Sequence, residues 1–312
     1  MRDVIGISFI LVKLTVGVFL QEYNHNLKTF ISTLNISEQG SGDDLALPKI
    51  SIIIPSFNQA EFLERTILSV LNQHYANLEL IIIDGGSSDQ SVDIIKKYDS
   101  YIYYWHSRSD KGQSDALNQG FSVATGDIYG WLNSDDIYLP GAFDRVISAF
   151  NQLPDKKIIF GDWLSIDVDD EVIAYNYAFD FNINHFVYEG FHLNAQSMFW
   201  KQEVHHSFSQ FDNNLYNTMD YQMILEFALN EGQHGFQRIT YPLAGFRRHP
   251  DQKTTGSTHR VIQEHQQIAT QYHFDDKFKI KGVVKRKLFR LRRAWWYIKR
   301  GGVKYCVKQI IS

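Results

Sequence analysis

Residues Ile128–Tyr138 read IYGWLNSDDIY, and this stretch places two adjacent carboxylates directly after an apolar run. The apolar and aromatic residues from Ile128 to Leu132 predict a buried strand. Asp135 and Asp136 follow it, and two such carboxylates are costly to hold together without a cation. Carboxylate oxygens suit Mg²⁺ or Mn²⁺, which in turn bridge to phosphate oxygens. The stretch therefore predicts a metal and phosphate site at the end of a strand, with an acidic surface turn as the alternative.

Upstream of this stretch, the chain alternates between predicted strands and predicted helices. Ile50–Ile54 and Leu78–Ile83 are continuous apolar runs, as in strands that are buried on both faces. Phe62–Leu71 repeats apolar residues at helical spacing, Ser91–Tyr98 predicts a short helix, and Tyr101–Trp105 predicts a third strand. This alternation is typical of βαβ units. The fold class is therefore α/β, with a Rossmann-like, mostly parallel central sheet flanked by helices.

Each of these predicted strands ends in a polar loop. The loops are Pro55–Asn58 (PSFN), Asp84–Asp89 (DGGSSD) and Ser109–Gln113 (SDKGQ), and a predicted helix at Ser114–Ala124 follows the third loop. Open α/β sheets bind their ligands in the crevice outside the carboxyl ends of the strands. We therefore expect these loops to gather with Asn133–Asp136 along one edge of the sheet.

The second half of the chain predicts antiparallel structure. Lys157–Asp167 and Val172–Phe179 are two candidate strands around an acidic turn, and Ala195–Trp200 is a further candidate strand. A predicted helix follows, with the inward residues Met223, Ile224, Phe227 and Ala228. Phe236–Tyr241 then predicts a strand, and Leu243–Thr255 predicts a loop after it.

The composition fits a globular protein of a reducing compartment. The chain has 312 residues, of which 44% are hydrophobic, and its single cysteine is Cys306. Lys277–Ser312 carries thirteen lysines and arginines and no acid, so the rest of the chain holds 18 basic and 35 acidic residues. An acidic body of this kind is unlike a nucleic-acid binder.

The N-terminal segment is apolar from Val4 to Leu20, apart from a few residues that include Lys13. It is shorter than the roughly 20 residues of a membrane-spanning helix, and a lysine lies near its centre. No small-residue cleavage site of a signal peptide follows it. We interpret it as an interfacial helix or an extension outside the main fold, joined to the rest by a linker at Asn35–Asp44.

Six motifs occur in one order along the chain: PSFN from Pro55, LIIIDGGSSDQS from Leu80, SDKGQSDALNQG from Ser109, GWLNSDD from Gly130, MDYQM from Met219 and AGFRRHPDQKT from Ala244. In this order they resemble the family 2 glycosyltransferases of the GT-A fold, over the range Lys49–Thr255. The resemblance implies a GT-A glycosyltransferase domain with a smaller antiparallel acceptor-side region at 48–256. Composition and charge divide the rest into an N-terminal apolar segment and linker at 1–47 and a basic, helical C-terminal tail at 257–312.

The same resemblance implies an active site. Its catalytic base is Asp220. Its divalent metal, Mn²⁺ or Mg²⁺, has Asp135, Asp136 and His249 as ligands, although Asn133 stands where the acidic motif of the family has its first carboxylate. The nucleotide-sugar contacts that the resemblance implies are Pro55, Ser56, Asn58, Asp84, Lys111, Gly112, Asp115, Asn133, Ser134 and Asp135.

Residue chemistry leaves a structural alternative for several of these side chains. Asp84 can form a turn, and Asp220 can cap the helix that it begins. Lys111 can be solvated, and a lone histidine such as His249 is more often structural. The basic segment Arg247–Lys253 also suits a clamp over a diphosphate.

The implied reaction moves a sugar from a nucleotide diphosphate sugar, with UDP as the expected nucleotide, to an acceptor hydroxyl with inversion. The expected acceptor is a glycan or a lipid-linked sugar in polysaccharide or cell-surface glycan synthesis. Two other functions stay open. A nucleotidyltransferase of similar fold would have a Gly-rich basic loop after its first strand, unlike the PSFNQAEF that begins at Pro55. A non-catalytic relative would bind sugar nucleotides without turnover.

The tail Lys277–Ser312 predicts contact with an anionic membrane surface. Its basic residues interleave with Leu288, Leu291, Trp295, Trp296 and Ile298. Basic residues beside tryptophan suit anionic lipid headgroups. The prediction is a cytoplasmic protein that is peripheral at the inner face of the plasma membrane. A solvated helix is the alternative, and nucleic acid is not an expected partner.

Overall fold

A computed structural model of the chain describes residues 23–34, 47–189, 193–253, 258–274, 287 and 289–300. Its strands are β1 (Ile50–Ser56), β2 (Leu78–Asp84), β3 (Tyr104–Ser107), β4 (Ile128–Trp131), β5 (Ile137–Tyr138), β6 (Ile158–Ile166), β7 (Val172–Asn176), β8 (Met198–Lys201) and β9 (Phe236–Arg247). Its helices are α1 (23–32), α2 (Ala60–Leu71), α3 (Ser91–Lys97), α4 (Gln113–Val123), α5 (Ala142–Gln152), α6 (Ile183–Glu189), α7 (Gln202–His206), α8 (Met219–Glu231), α9 (Thr258–Gln271) and α10 (289–300). The predicted apolar segment Val4–Leu20, the linker Asn35–Asp44 and most of the tail on either side of α10 lie outside the described residues.

The described strands form one sheet in the order β3-β2-β1-β4-β8-β6-β9-β5, with β7 paired to β6. β3, β2, β1 and β4 run parallel to one another, as the alternation of strands and helices predicts. β8 pairs antiparallel with β4 and with β6, and β7 pairs antiparallel with β6. The predicted α/β fold, with a parallel part and an antiparallel region, is confirmed.

Helices cover both faces of the parallel part of the sheet. In β1, Ile52 points to a cluster that contains Leu63 of α2 and Phe143 of α5. Ile53 points to the opposite face, where a Cβ on Gly120 of α4 would lie only 2.5 Å from its Cγ2. Because successive side chains of a strand alternate between faces, a continuous apolar run is what a strand between two helical layers requires.

The structure corrects the loop that the sequence predicts at Leu243–Thr255. β9 continues to Arg247, because Gly245 and its neighbours pair with β5 on one side and with β6 on the other. The strands predicted at Tyr101–Trp105 and Ala195–Trp200 begin later, at the first residues of β3 and β8, since a single 3-10 turn precedes each of them. The pairings of β9 with β5 and β6 join residues that are far apart in the sequence, and no local pattern indicates them.

Helix α1 packs against the far end of the sheet. Its Leu27 and Ile31 are buried against Leu139 and Ile166. Its Lys28 forms an ion pair with Glu171, in the turn between β6 and β7. Part of the segment that the sequence analysis separates from the domain therefore packs on that domain.

Helix α10 packs on the antiparallel side of the molecule through Trp296. The indole Nε1 of Trp296 donates a hydrogen bond to Oδ2 of Asp180 at 3.3 Å, and its ring lies 5.0 Å from that of Phe179. The side chains of Leu291 and Trp295 are 68% and 60% exposed on the other side of the helix. Among the described helices, none combines the length and apolar character that crossing a membrane requires.

Candidate active site

The polar loops meet at the carboxyl edge of the parallel strands, as predicted. The loop after β1 is bound to the loop after β2 through Asn58, whose Oδ1 accepts the Ser88 N–H at 2.9 Å. The backbone N–H of Asn58 in turn donates to Oγ of Ser87 at 2.8 Å. Asn58 has a φ of 51°, in the left-handed region that asparagine tolerates better than most residues. Asn58 therefore shapes this edge.

Asp84 organises the loop after β2, and its carboxylate does not face open space. It is fully buried, and it accepts hydrogen bonds from the hydroxyls of Ser87 (2.5 Å) and Ser107 (2.6 Å) and from the N–H groups of Gly86 (3.1 Å) and Ser87 (2.9 Å). Both carboxylate oxygens accept hydrogen bonds from the protein, and the expected contact of Asp84 with a base or ribose stays a prediction. The alternative, a carboxylate that forms the turn, fits these contacts.

Two residues at the end of β1 differ in what they offer to a ligand. Pro55 is buried within the strand, opposite Ile83 of β2. Ser56 is also buried, but its Oγ has no hydrogen-bond partner among the described residues. A buried hydroxyl without a partner is costly, which marks Ser56 as a side chain that a ligand could satisfy. Phe57 follows it and is 59% exposed.

The loop that precedes α4 is open to solvent. Lys111 and Gly112 are exposed, and Gly112 has a φ of 105°, which glycine adopts far more readily than other residues. Oδ2 of Asp115, in the first turn of α4, accepts the Lys111 N–H at 3.2 Å. Asp115 thus holds the loop, while the ammonium of Lys111 is at the surface.

The turn of Asn133–Asp136 is held by contacts from three directions. Oδ1 of Asn133 accepts hydrogen bonds from Nε2 of Gln113 and from Nε1 of Trp131, both at 2.7 Å. The hydroxyl of Thr66 on α2 lies within hydrogen-bond distance of the backbone oxygens of Ser134 (2.9 Å) and Asp136 (2.7 Å) and shares its one proton between them. This turn is therefore a fixed element rather than a solvated acidic loop.

The two carboxylates of this turn have different surroundings. Asp136 is buried, and its Oδ1 accepts the backbone N–H of Arg247 at 2.8 Å. Burial, together with the neighbouring Asp135, raises the pKa of Asp136 well above its ordinary value. Asp135 is partly exposed, and its Oδ2 lies 3.0 Å from Nε2 of His249. Asp135 is therefore paired with the buried His249, and the carboxylate of Asp136 is engaged with Arg247.

The expected clamp at Arg247–Lys253 needs a correction at Arg247. The guanidinium of Arg247 is fully buried, pairs with Oδ1 of Asp170 at 2.6 Å and donates to the backbone oxygen of Asp135 at 2.8 Å. Asp170 also pairs with Arg65 of α2 at 2.6 Å. Because Arg247 ends a paired strand, its charge is used to hold the acidic turn and cannot reach a diphosphate.

Asp220 lies in the first turn of α8, as the sequence predicts. Its Oδ1 accepts the N–H of Tyr221 at 2.8 Å. Burial raises the pKa of Asp220 to about 6, and the carboxylate of Glu264 adds to the rise, while the hydrogen bond from Tyr221 and the charge of Lys253 oppose it. A carboxylate with a pKa of about 6 is ionised at neutral pH and still basic enough to accept a proton.

A sequence profile described as Glycosyl transferase family 2 matches residues 51–229, more than half of the chain. The chain belongs to glycosyltransferase family 2. Among its relatives, an uncharacterised glycosyltransferase of Rickettsia typhi is 36% identical over 112 residues, and one of Mycobacterium tuberculosis is 42% identical over 117 residues. These matches cover 36% and 37% of this chain, and the chain spans only 35% and 44% of the length of the two relatives.

Solved structures share the GT-A type of fold with this family 2 chain. Residues 1–349 of S. aureus TarS, in complex with UDP-GlcNAc, superpose with a TM-score of 0.56 at 12% identity, over 83% of this chain and 89% of that one. The mannosyltransferase PcManGT of Pyrobaculum calidifontis, in complex with GDP-Man and Mn²⁺, gives a TM-score of 0.51 at 14% identity, over 95% and 84% of the two chains. At these identities the likeness concerns the fold.

In this family 2 site, two residues that the sequence places in separate loops are in contact. Nζ of Lys253 donates to Oε1 of Gln113 at 2.9 Å, and Gln113 in turn donates to Asn133. Burial lowers the pKa of Lys253 to about 8, although the charge of Glu264 opposes this. Both residues stand inside the quoted motifs, but only the fold shows that they touch.

The side chains near the acidic turn offer a limited set of donors to a divalent cation. Within the described residues, no group of three His, Cys, Asp or Glu side chains could hold a metal ion by itself. Asp135 and His249 supply two donors, whereas Asp136 is engaged with Arg247. Mg²⁺ and Mn²⁺ are commonly held by one or two protein ligands together with phosphate oxygens and water, so a pair of donors fits a cation that arrives with a nucleotide diphosphate.

Proposed function

We propose that this family 2 domain transfers a sugar from a UDP-sugar to an acceptor hydroxyl with inversion. The observation that carries the proposal is the hydrogen-bonded chain from Lys253 through Gln113 to Asn133. This chain joins the segment after β9, the start of α4 and the acidic turn. Lys253 also interacts electrostatically with Asp220. The groups that suit a donor diphosphate are therefore next to the group that suits a base.

Asp220 is the proposed general base. Its raised pKa, about 6, keeps it matched to proton abstraction near neutral pH. It would remove the proton of the acceptor hydroxyl as the oxygen attacks the anomeric carbon. A single displacement from the face opposite the leaving diphosphate inverts the configuration at that carbon.

The donor contacts are proposed along the carboxyl edge of the parallel strands. The Oγ of Ser56 is available to a base or ribose, and the exposed ring of Phe57 offers a stacking face. Asn133, Ser134 and Asp135 lie at the expected sugar and diphosphate end. Lys111, Gly112 and Asp115 form the loop that would cover the nucleotide. Pro55, Asn58 and Asp84 are proposed to shape the edge rather than to carry polar ligand contacts of their own.

The proposed cation is Mn²⁺ or Mg²⁺, held by Asp135 and His249. When bound, it would offset the charge that develops on the leaving diphosphate. Lys253 contributes a positive charge on the same side, within reach of Gln113. Asp136 is proposed to act indirectly, because its carboxylate fixes the turn through Arg247.

The choice of UDP rests on the family resemblance and on a fold neighbour. TarS of S. aureus has been solved with UDP-GlcNAc, whereas PcManGT has been solved with GDP-Man and Mn²⁺. We propose a UDP-sugar as donor and a glycan or lipid-linked acceptor in polysaccharide or cell-surface glycan synthesis. A screen of UDP- and GDP-sugars by thermal shift and by turnover, with and without Mn²⁺, tests this choice. Binding without any turnover would favour the non-catalytic alternative, and release of diphosphate from a nucleoside triphosphate would favour a nucleotidyltransferase.

We further propose that the C-terminal tail holds the enzyme at an anionic membrane surface, in the cytoplasm and at the inner face of the plasma membrane. Leu291 and Trp295 are exposed one turn apart on α10, and Nζ of Lys299 lies 5.3 Å from the ring of Trp295. The other side of the helix packs on the body through Trp296. An apolar pair flanked by cations fits a lipid interface, and the packed side keeps the helix attached to the domain.

The segments that we propose are those that the sequence implies. Residues 48–256 form the glycosyltransferase domain, residues 257–312 the helical, basic tail, and residues 1–47 an N-terminal segment. α1 is proposed to belong functionally with the domain, since its Leu27 and Ile31 are buried there. α9 is proposed to belong with it as well, because Glu264 binds the turn before α8.

A further inference from the structure

Glu264 of α9 is a buried carboxylate that faces three consecutive backbone N–H groups. Oε1 accepts the N–H of Tyr216 at 2.9 Å, and Oε2 accepts the N–H groups of Asn217 (2.9 Å) and Thr218 (3.0 Å). Only 4% of Glu264 is exposed. Burial disfavours its charge, but the hydrogen bonds from the Asn217 and Tyr216 amides outweigh it and hold the pKa of Glu264 below its ordinary value. The carboxylate is therefore a fixed negative charge.

This carboxylate binds the turn that leads into α8. Thr218 is the N-cap residue, yet its side chain makes no capping hydrogen bond within its own helix. Its Oγ1 donates instead to Oε2 of Glu264 at 3.0 Å. Since Asp220 lies two residues further on, the position of its carboxylate follows from the turn that Glu264 binds.

The charged groups that face Asp220 come from two other parts of the chain. Glu264 approaches from α9, and Lys253 approaches from the segment after β9. Lys253 is itself under the influence of Arg260 and Asp110. Arg260 pairs with Glu264, with Nε 3.0 Å from Oε1, and partly screens its charge. Asp220 therefore lies between a carboxylate and an ammonium.

We propose that Glu264 is a positioning residue for Asp220, which fixes the turn from which α8 begins and places a negative charge beside the base. The inference rests on the proposed role of Asp220 as base and extends it to a helix that follows the family match at residues 51–229. A fixed negative neighbour favours the protonated form of Asp220, and this strengthens its affinity for a proton.

The first test is the titration of Asp220 in the full chain, followed by ¹³C NMR of aspartate-labelled protein and assigned with Asp220→Asn. In Glu264→Gln the negative charge is lost, so we expect the Asp220 titration to move to lower pH, by less than about one unit because burial contributes most to the raised pKa. Arg260→Met leaves the carboxylate of Glu264 in place and removes the cation that screens its charge. We therefore expect a smaller shift of the Asp220 titration, to higher pH. A general loosening of the fold would move the Asp220 titration in the same direction in both variants. Opposite shifts in Glu264→Gln and Arg260→Met would therefore exclude it.

The second test is steady-state turnover of a nucleotide sugar. In Glu264→Gln the new side-chain amide would present N–H donors to backbone N–H groups, so kcat should fall, by up to about 10²-fold for a displaced base. The donor KM should change less than kcat, because the hydrogen bonds of Glu264 go to the turn before α8, while only its charge acts on Lys253. Glu231→Gln is the matched control: it removes an ion pair with Lys157 at the other end of α8, and kcat should stay at the wild-type value.

The outcomes separate the two proposals. If the Asp220 titration does not move in either variant, Glu264 is only an element of the fold and the inference is wrong. If Glu264→Gln fails to fold, Arg260→Met decides alone: an upward shift supports the inference and no shift overturns it. If the wild-type chain turns over no nucleotide sugar, the proposed function falls, while the titration still reports whether Glu264 sets the protonation of Asp220.

Discussion

The backbone N–H of Arg247 donates a 2.8 Å hydrogen bond to Oδ1 of Asp136, and this bond joins the end of β9 to the acidic turn. The guanidinium of the same arginine binds the backbone oxygen of Asp135 and the carboxylate of Asp170. One buried residue thereby fixes the turn that presents Asp135 to solvent. The geometry of the proposed cation site depends on a strand that lies far from it in the sequence.

Replacing Arg247 should therefore destabilise the protein strongly. Arg247→Met removes one of the two arginines that pair with the buried Asp170 and leaves it with Arg65. Breaking a buried ion pair in this way lowers the free energy of unfolding by about 3–5 kcal/mol. Arg248→Ala is the matched control, since the side chain of Arg248 is exposed, and it should change stability by less than about 0.5 kcal/mol. Urea unfolding measures both. Equal stabilities of the two variants would show that the buried network contributes little.

Loss of the proposed base should reduce turnover and leave donor binding intact. Asp220→Asn removes proton abstraction, whose usual contribution is roughly 10²–10⁴-fold. Burial raises the pKa of Asp220 to about 6. In the wild-type chain, kcat/KM should therefore fall as the pH drops below about 6. A parallel loss of donor affinity in Asp220→Asn, measured by titration with UDP, would point to a binding role instead.

The same pKa shift predicts how stability depends on pH. The pKa of Asp220 is raised from 3.8 to about 6 on folding, so its protonation stabilises the folded chain. This contribution is complete below the pKa of the unfolded chain and is lost as the pH rises through about 6. Asp220→Asn cannot ionise, so its stability relative to wild type should increase between pH 4 and pH 8, by at most about 3 kcal/mol. A constant difference across this range would mean that the carboxyl titrates normally.

Removing either proposed cation ligand should abolish the effect of Mn²⁺ on UDP binding. Asp135→Ala and His249→Gln each leave a single donor at the turn, too few to retain the ion between diphosphate and protein. The measurement is the Mn²⁺-dependent rise in Tm with UDP present. Asp93→Ala, which removes an exposed carboxylate from α3, should leave that rise unchanged. Persistence of the full rise in both ligand variants would exclude this pair as the cation site.

The exposed side of α10 should decide membrane attachment. Wild-type chain should sediment with anionic vesicles and be released by salt, since each lysine or arginine near such a surface contributes on the order of 1 kcal/mol. A chain that ends at Asp276 should not sediment, and Leu291→Gln with Trp295→Gln should weaken sedimentation clearly. Ile262→Gln, at an exposed apolar residue of α9, is the control. Equal binding by the full and shortened chains would move the anchor to Val4–Leu20.

The sequence alone determined the parallel part of the fold. Ile50–Ile54 and Leu78–Ile83 are apolar at nearly every position, which only a strand covered on both faces tolerates, and each run ends in a polar loop. Such patterns are local, so the strands, the intervening helices and the edge where the loops gather could be predicted. The order of the motifs also indicated the family, which the match at residues 51–229 confirms.

Only the tertiary structure decided which polar side chains are available to a ligand. The sequence indicates Asp84 and Asp136 as candidate ligand contacts, but each accepts a hydrogen bond from a distant element, from Ser107 and from Arg247 respectively. Arg247 reads as part of a basic loop, yet it ends a strand whose partners are far away in the chain. Glu264 carries no motif at all, and its position before α8 follows from packing. Burial and hydrogen-bond partners come from contacts between distant residues, and a local pattern of side chains does not contain them.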